Sequence, residues 1–416
     1  MKSPVSSQFL RRIIVGVLVV AAPLRSAFAD VVLDWNAAMT HYSEIQPPPG
    51  VAPFAEARAY AMAHIAMRDA VTARGINQGI NNEAAAAQAA HDVLVAVLPG
   101  GTLGFDTLLS AQMAAIANGT GKTAGIALGA AHAARVLADR ANDGSATPTS
   151  PYTPGTNPGD YQPTPPFNGP PFNGFVDAVN WGKVKPFSLV KGSQFRVPAP
   201  YKVTDLDYAF DLNEIKALGS ATSTVRSSDQ TDLALFWYES SPMGWNRIAR
   251  LITAQHALTL VEQARLFAAL NGALADAYIA AIESKFTYNF WRPITAIRAA
   301  ATDGNPATAA DPTWESLFLT PPIPDYPSAH ACAGGAAATV LISVFGDDQT
   351  FTLASTMSFP FPSIQPRTFH KISDAAKENA LSRMLVGIHF RLACEVGLEQ
   401  GTDIGRWVVK HEARSN

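Results

Sequence analysis

The residues best suited to chemistry fall in three short stretches, KFTYNFWRP (285–293), YPSAH (326–330) and SRMLVGIHF (382–390). Lys285 and Arg292 are seven residues apart, close to two helical turns, so a helix continuing through both would project them from one face. Pro293 would then end or kink that helix. Ser328 can cap the next helix, leaving the amides of Ala329 and His330 free at its positive end, where anions bind. Ser382 and His389 are again seven apart, with Arg383 beside them. Taken singly, each pattern has a bland reading: snorkelling cations, a capping histidine, a core histidine near a surface arginine. Taken together, they suit a tetrahedral or trigonal-bipyramidal oxyanion. Arginine binds such oxygens bidentately and stays charged, and lysine supplies a point charge. One histidine can attack or ligate while the other shuttles a proton.

The elements around these stretches read as helices. Residues 54–73, 81–99, 104–119 and 122–143 are alanine-rich with apolar residues at helical spacing. After a Pro/Gly-dense stretch, helices resume at 211–219, 228–240, 244–257 and 259–293. The segment 373–411 reads as two helices broken near Gly397 or Gly401. No alternating strand pattern exceeds about five residues, below the usual strand window. The expected class is all-α, a helical bundle with long irregular loops. Its expected divisions are a signal peptide (1–29), an N-terminal helical region (30–143), a Pro/Gly-rich irregular segment (144–204) and a C-terminal helical region carrying the oxyanion site (205–416).

The chain has 416 residues, 48% of them hydrophobic and 16% charged, which supports a large core. A formal charge of −3 gives no bulk attraction for nucleic acid or anionic membranes. An anionic ligand must therefore meet a local cluster of cations. Lys2, Arg11 and Arg12, the apolar run IIVGVLVVAA and the small-residue ending SAFA read as a secretory signal cleaved after Ala29. The expected location is periplasmic or secreted, with no membrane span in the mature chain. Export permits a disulfide between the only two cysteines, Cys332 and Cys394, with a pair of buried thiols as the alternative. Their spacing is not that of a zinc site.

In combination, K-x6-R-P, P-S-x-H and S-R-x5-H resemble the vanadium-dependent haloperoxidase and type 2 phosphatidic-acid-phosphatase superfamily, and RSSDQTDLALFW and GWNRIAR are similar to its soluble bacterial haloperoxidase-like branch. The resemblance spans about residues 31–410. It implies a helical bundle with the site at the ends of bundle helices. It implies that Lys285, Arg292 and Arg383 hold equatorial oxygens, with donation from Ser328 and the amide of Ala329, where the family usually has glycine. His330 would be the acid/base. His389 would be the axial vanadium ligand, or the nucleophile of a phosphatase. One departure stands out: the family pattern often continues H-x3-D, and that position is Ala393. A backbone carbonyl or Glu395 is the expected substitute for orienting His389. The other histidines, His41, His64, His91, His132, His256 and His411, match no motif, and His370 lies just before the third one.

Such a pocket runs two reactions. With vanadate as cofactor it oxidises halide with hydrogen peroxide, the metal acting as a Lewis acid and Lys285 polarising the bound peroxide. With no cofactor it hydrolyses a phosphate ester through His389, with His330 protonating the leaving group. The large helical N-terminal region and the FWRP ending favour the first. Ile323 stands where halide-oxidising members tend to carry an aromatic residue or histidine. A non-catalytic oxyanion-binding protein is the third reading, motivated by Ala393.

Overall fold

The computed structural model describes residues 30–46, 50–73, 79–148, 150–358 and 364–412. The segment read as an export signal lies outside them. The described residues form α1 (Val31–Glu44), α2 (Pro53–Thr72), α3 (Asn82–Val97), α4 (Thr102–Ala115) and α5 (Thr120–Arg140) before the Pro/Gly-rich stretch. Beyond it come α6 (Leu206–Leu218), α7 (Ser228–Phe236), α8 (Ser241–Thr253), α9 (Leu260–Tyr288), α10 (Pro293–Ala299), α11 (Ala329–Phe345), α12 (Ile372–Leu385) and α13 (Arg391–Glu412). Two three-residue strands, β1 (Phe351–Leu353) and β2 (Arg367–Phe369), pair antiparallel between α11 and α12. The class is all-α.

The bundle is built around α9. A capping box of Thr259 and Glu262 satisfies its first amides. Its alanines let α2, α11 and α13 pack closely, and buried residues run almost its whole length. α9 is long and apolar enough to cross a membrane, but nearly all of it is packed inside the protein, as befits a core helix. Because α2 also packs on α9, one apolar core joins the helices before and after the Pro/Gly-rich stretch.

Glycines set the closest helix contact. On α13, Gly397 and Gly401 face α11 so tightly that a Cβ on either would meet the carbonyl oxygen of Ser328 at 2.5 Å or of Cys332 at 1.9 Å. These two glycines lie inside a continuous helix. The break expected there falls instead at residues 386–390, between α12 and α13, where Gly387 takes φ +88°.

The stretch 150–204 contains no α-helix and runs over the bundle as a strap. It is pinned at intervals. The amides of Phe187, Ser188 and Leu189 all donate to the buried carboxylate of Asp276 on α9. Tyr161 N–H donates to Asn289 O, and Asp177 N–H to Pro322 O. Extended, proline-rich backbone leaves its polar groups unpaired, so these side-chain and carbonyl partners are what fix it.

Candidate active site

The seven-residue spacing in KFTYNFWRP does not act through a continuous helix. α9 stops at Tyr288, and its C-cap Asn289 takes the left-handed conformation at φ 50°, which asparagine tolerates better than most residues. Phe290 to Arg292 are extended, and Pro293 opens α10 at N1 rather than ending α9. Lys285 and Arg292 still converge, because both reach the loop 323–325. Arg292 Nε donates to Ile323 O at 2.7 Å, and Lys285 Nζ to Pro324 O and Asp325 O at 2.7 and 2.8 Å.

The third stretch behaves likewise. Ser382 and Arg383 lie in the last turns of α12, but His389 lies beyond the helix. A turn through Gly387 folds the chain back, so that the amides of Ile388 and His389 both donate to Arg383 O. Ser382 is fully buried and donates to Asn379 O, away from the pocket. His370 is exposed and bonds Thr350, outside the site.

Lys285, Arg292, Ala329, His330, Arg383 and His389 line one cavity of about 150 Å³, with Tyr278 and Ile282 beside Lys285 on α9. Ser328 caps α11 by accepting the N–H of Ala331, and it lies beneath the cavity, fully buried. The walls are apolar: Pro53 and Phe54 from the start of α2, and Pro321 to Ile323. Asp177 from the strap adds one carboxylate.

The floor holds more positive charge than it cancels. Lys285, Arg292 and Arg383 are buried, and Asp325 is the carboxylate among them, 3.7 Å from Arg292 Nη1. Among the described residues Arg383 Nε has no hydrogen-bond partner, and its guanidinium makes a 3.5 Å bond to Trp237 O and a cation–π contact with Tyr238. Buried cations in excess and an orphaned buried donor are what an oxyanion relieves. Burial, with Arg292 next, holds the Lys285 ammonium well below its ordinary pKa.

His389 is held neutral and pointed. Burial first, then Arg292, Lys285 and Arg383, push its pKa well below 6.5. Arg292 Nη1 stands 3.0 Å from His389 Nε2. The same Nη1 is 3.4 Å from Nδ1, so the guanidinium, which can only donate, makes its shorter contact with Nε2, and we assign the lone pair to Nε2 and the proton to Nδ1, the nitrogen beside Asp325. Nδ1 lies 2.9 Å from Asp325 Oδ1. The contact is close but not aligned as a hydrogen bond, and among the described residues neither oxygen of Asp325 has a well-aligned partner, though the Phe390 amide stands near enough to favour its charged form. Burial pushes Asp325 up to about 7, against the opposing pull of Arg292 and Lys285. The partner expected from Glu395 or a carbonyl is thus a different carboxylate, three residues before Ser328. Ala393 serves elsewhere: its carbonyl accepts the N–H of Ser328 and ties α13 to the start of α11.

His330 is clamped from both sides. Its Nδ1 is 2.8 Å from Ser241 Oγ, and its Nε2 is 2.7 Å from the side-chain amide of Asn379. With the amide nitrogen donating, Nε2 accepts and Nδ1–H donates to Ser241. Burial and Arg383 lower its pKa well below 6.5. Sequence reasoning missed Asp325, Asn379, Ser241, Tyr278 and Asp177. Two carried a signal: Asn379 sits one turn before Arg383, and Tyr278 and Ile282 share the face of Lys285 by the i, i+4, i+7 rule.

The cysteines do not bridge. Both are free and buried. Cys332 Sγ is directed at Ala277 O on α9, which turns it away from a partner on α13. Burial raises both thiols far above their usual pKa.

Residues 265–415, which contain all three stretches, match the family model described as the VCPO second helical-bundle domain. Over 292 residues the chain is 27% identical to the vanadium chloroperoxidase of Curvularia inaequalis, covering 54% of this chain and 47% of that one. It therefore spans about half the length of that curated relative. Among solved structures, a bacterial vanadium-dependent iodoperoxidase is similar at TM-score 0.75 and 26% identity, with 91% of this chain and 94% of that chain covered. A holo-type bacterial vanadium-dependent chloroperoxidase shares the fold, at TM-score 0.71 and 18% identity over 90% of this chain and 96% of that one. In sequence over residues 265–415 and in fold over nine-tenths of its length, the chain is thus similar to the vanadium haloperoxidases.

Proposed function

We propose that the protein is a vanadate-dependent haloperoxidase, oxidising halide with hydrogen peroxide. The observation that carries this is His389: a neutral imidazole whose lone-pair nitrogen faces a buried surplus of cations, with Asp325 behind its other nitrogen. A carboxylate–histidine pair of this kind orients a metal-ligating ring and strengthens its basicity. The donor set fits vanadate, an oxyanion that needs one nitrogen ligand and several hydrogen-bond donors. Lys285, Arg292, Arg383 and the first amides of α11 would hold its oxygens, and His389 Nε2 would give up the hydrogen bond from Arg292 Nη1 to ligate the metal. When bound, vanadate supplies Lewis-acid activation of peroxide without changing its own oxidation state.

The chain's own contribution is positioning and charge. Arg292 and Lys285 are fixed by carbonyls of loop 323–325, so the floor is preorganised rather than gathered by the ligand. His330, neutral at rest, gains proton affinity when a negative oxyanion arrives above Arg383. Ser241 and Asn379 hold its ring while it takes and returns that proton. The apolar walls exclude bulk water from the floor.

The same groups would serve a phosphatase, so the test opposes the two reactions. Vanadium-free protein is divided. One portion receives orthovanadate, bromide, peroxide and a halogen acceptor; the other receives a chromogenic phosphate ester. The expected result is bromide oxidation that starts only with vanadate and is suppressed by phosphate, with slow ester hydrolysis. Brisk hydrolysis that vanadate inhibits, without halogenation, would assign the phosphatase instead, since vanadate mimics its five-coordinate transition state. Tight vanadate binding with neither activity would leave an oxyanion-binding protein.

A further inference from the structure

One group in the cavity has no part in holding the oxyanion. Asp177 lines the same cavity as the catalytic cations, yet it comes from the strap rather than from the bundle. It is partly buried, and its one described side-chain hydrogen bond is from the N–H of its neighbour Ala178, at 2.8 Å. No cation appears among the influences on its carboxyl; burial alone raises it. A carboxylate this enclosed ordinarily has a cationic partner.

Its position is fixed. The N–H of Asp177 donates to Pro322 O at 2.8 Å, next to Ile323, whose carbonyl holds Arg292. Ala178 takes φ +57°, a left-handed conformation that costs a residue with a Cβ roughly 1 kcal/mol or more. Trp181 N–H then closes a turn on Ala178 O, and the Trp181 ring packs 4.5 Å from Phe54 of the cavity wall. Asp177 and Arg292 are thus held by the carbonyls of consecutive residues, Pro322 and Ile323, and both line the cavity. Across the cavity are Tyr278, Lys285, Arg292, His330, Arg383 and His389.

We propose that Asp177 is a specificity-determining residue, whose negative charge on the cavity wall disfavours anionic ligands relative to neutral ones. Hydrogen peroxide is neutral and passes without penalty. A halide or a phosphate is charged like Asp177 and is weakened by it. Like charges several ångströms apart in a partly desolvated cavity repel by an amount that corresponds to a few-fold to ten-fold in affinity.

The naming of halide as the weakened substrate rests on the haloperoxidase reading; the charge effect itself does not. Asp177→Asn keeps an oxygen for the Ala178 amide and removes the charge, and Asp177→Glu keeps the charge. The first measurement is calorimetric titration of vanadium-free protein with inorganic phosphate at pH 8, at low and high salt. The Asn variant should bind phosphate about three- to ten-fold more tightly at low salt, with the gain shrinking at high salt, and the Glu variant should stay near wild type. The second is bromide oxidation by vanadate-loaded protein, in which the Asn variant should lower KM for bromide by a similar factor and leave KM for peroxide in place. An unchanged phosphate affinity overturns the proposal, as does a peroxide KM that moves as far as the bromide KM. A tighter phosphate complex from a protein that oxidises no bromide upholds the role of Asp177 and overturns the haloperoxidase reading instead.

Discussion

On the proposed reading, Asp325 would act on a bound anion in two opposed ways. Its charge sits beside Arg292 and repels any anion on the floor, while its contact with His389 Nδ1 keeps the lone pair on Nε2. Asp325→Asn should therefore divide two ligands that otherwise look alike. Phosphate needs only the cations, and its affinity should hold or rise slightly. Orthovanadate also needs the nitrogen, and its affinity should fall about 10–100-fold, the usual cost of losing a partner behind a ligating histidine. Titration calorimetry with both anions reads the difference; parallel changes would show that Asp325 does not orient the ring. At this scale the sequence was half legible. Lys285, Arg292, His330, Arg383 and His389 announced themselves by type and spacing. Asp325 did not, because its tie to His389 crosses from a loop to a turn 64 positions away, and nothing local marks such a contact.

The helices place these residues by stopping, which periodicity alone does not reveal. Two pairs spaced at seven suggested two shared helical faces. In each case a left-handed residue, Asn289 or Gly387, stands inside the interval where the helix has ended; loop contacts bring Lys285 and Arg292 together nonetheless, whereas Ser382 turns away from the cavity that His389 lines. The glycines of α13 misled in the reverse direction, since they mark close packing rather than a break. Gly401→Ala would drive a Cβ into the Cys332 carbonyl, a backbone group that cannot step aside. Forcing α13 off α11 should cost about 1–3 kcal/mol or more, seen as a lower urea midpoint, and should weaken orthovanadate binding because α11 carries His330. Gly104→Ala is the control: it lies in α4 with nothing within 4 Å, and should be neutral or slightly stabilising. Equal losses in both variants would mean that the α11–α13 approach is not the constraint.

Across the whole molecule, the helical regions are locked together by a polar cluster as well as by apolar packing. His64 on α2 touches the amides of Asn36 on α1 and Asn271 on α9, and both asparagines bond Asn246 on α8. Burial lowers His64 from 6.5 to about 4. Between those values the unfolded chain binds a proton and the native chain does not, so this contribution to stability is present at neutral pH and lost as pH falls from 6.5 toward 4. At pH 4.5 the loss should be about 2–3 kcal/mol relative to pH 7.5. Comparing urea unfolding of wild type with His64→Gln isolates it, since glutamine does not titrate; identical pH slopes would reject the assignment. The all-α class was readable from alanine-rich periodicity and the lack of alternation. The course of the strap was not, because proline-rich chain has no period and takes its path from partners such as Asp276.

The two thiols give the molecule a further property. An enzyme that releases an oxidising halogen does so within reach of its own side chains, and thiolate sulfur is among the most readily oxidised groups in a protein. Cys332 and Cys394 stand close to His330 and His389 in the chain, yet both are buried, and burial keeps them protonated. Neither lines the cavity that holds Lys285, Arg292 and Arg383. Cys332 is covered by α9, where its sulfur meets Ala277 O, and Cys394 is buried on α13. On the proposed haloperoxidase reading, this burial would keep both thiols apart from an oxidising halogen formed in the cavity.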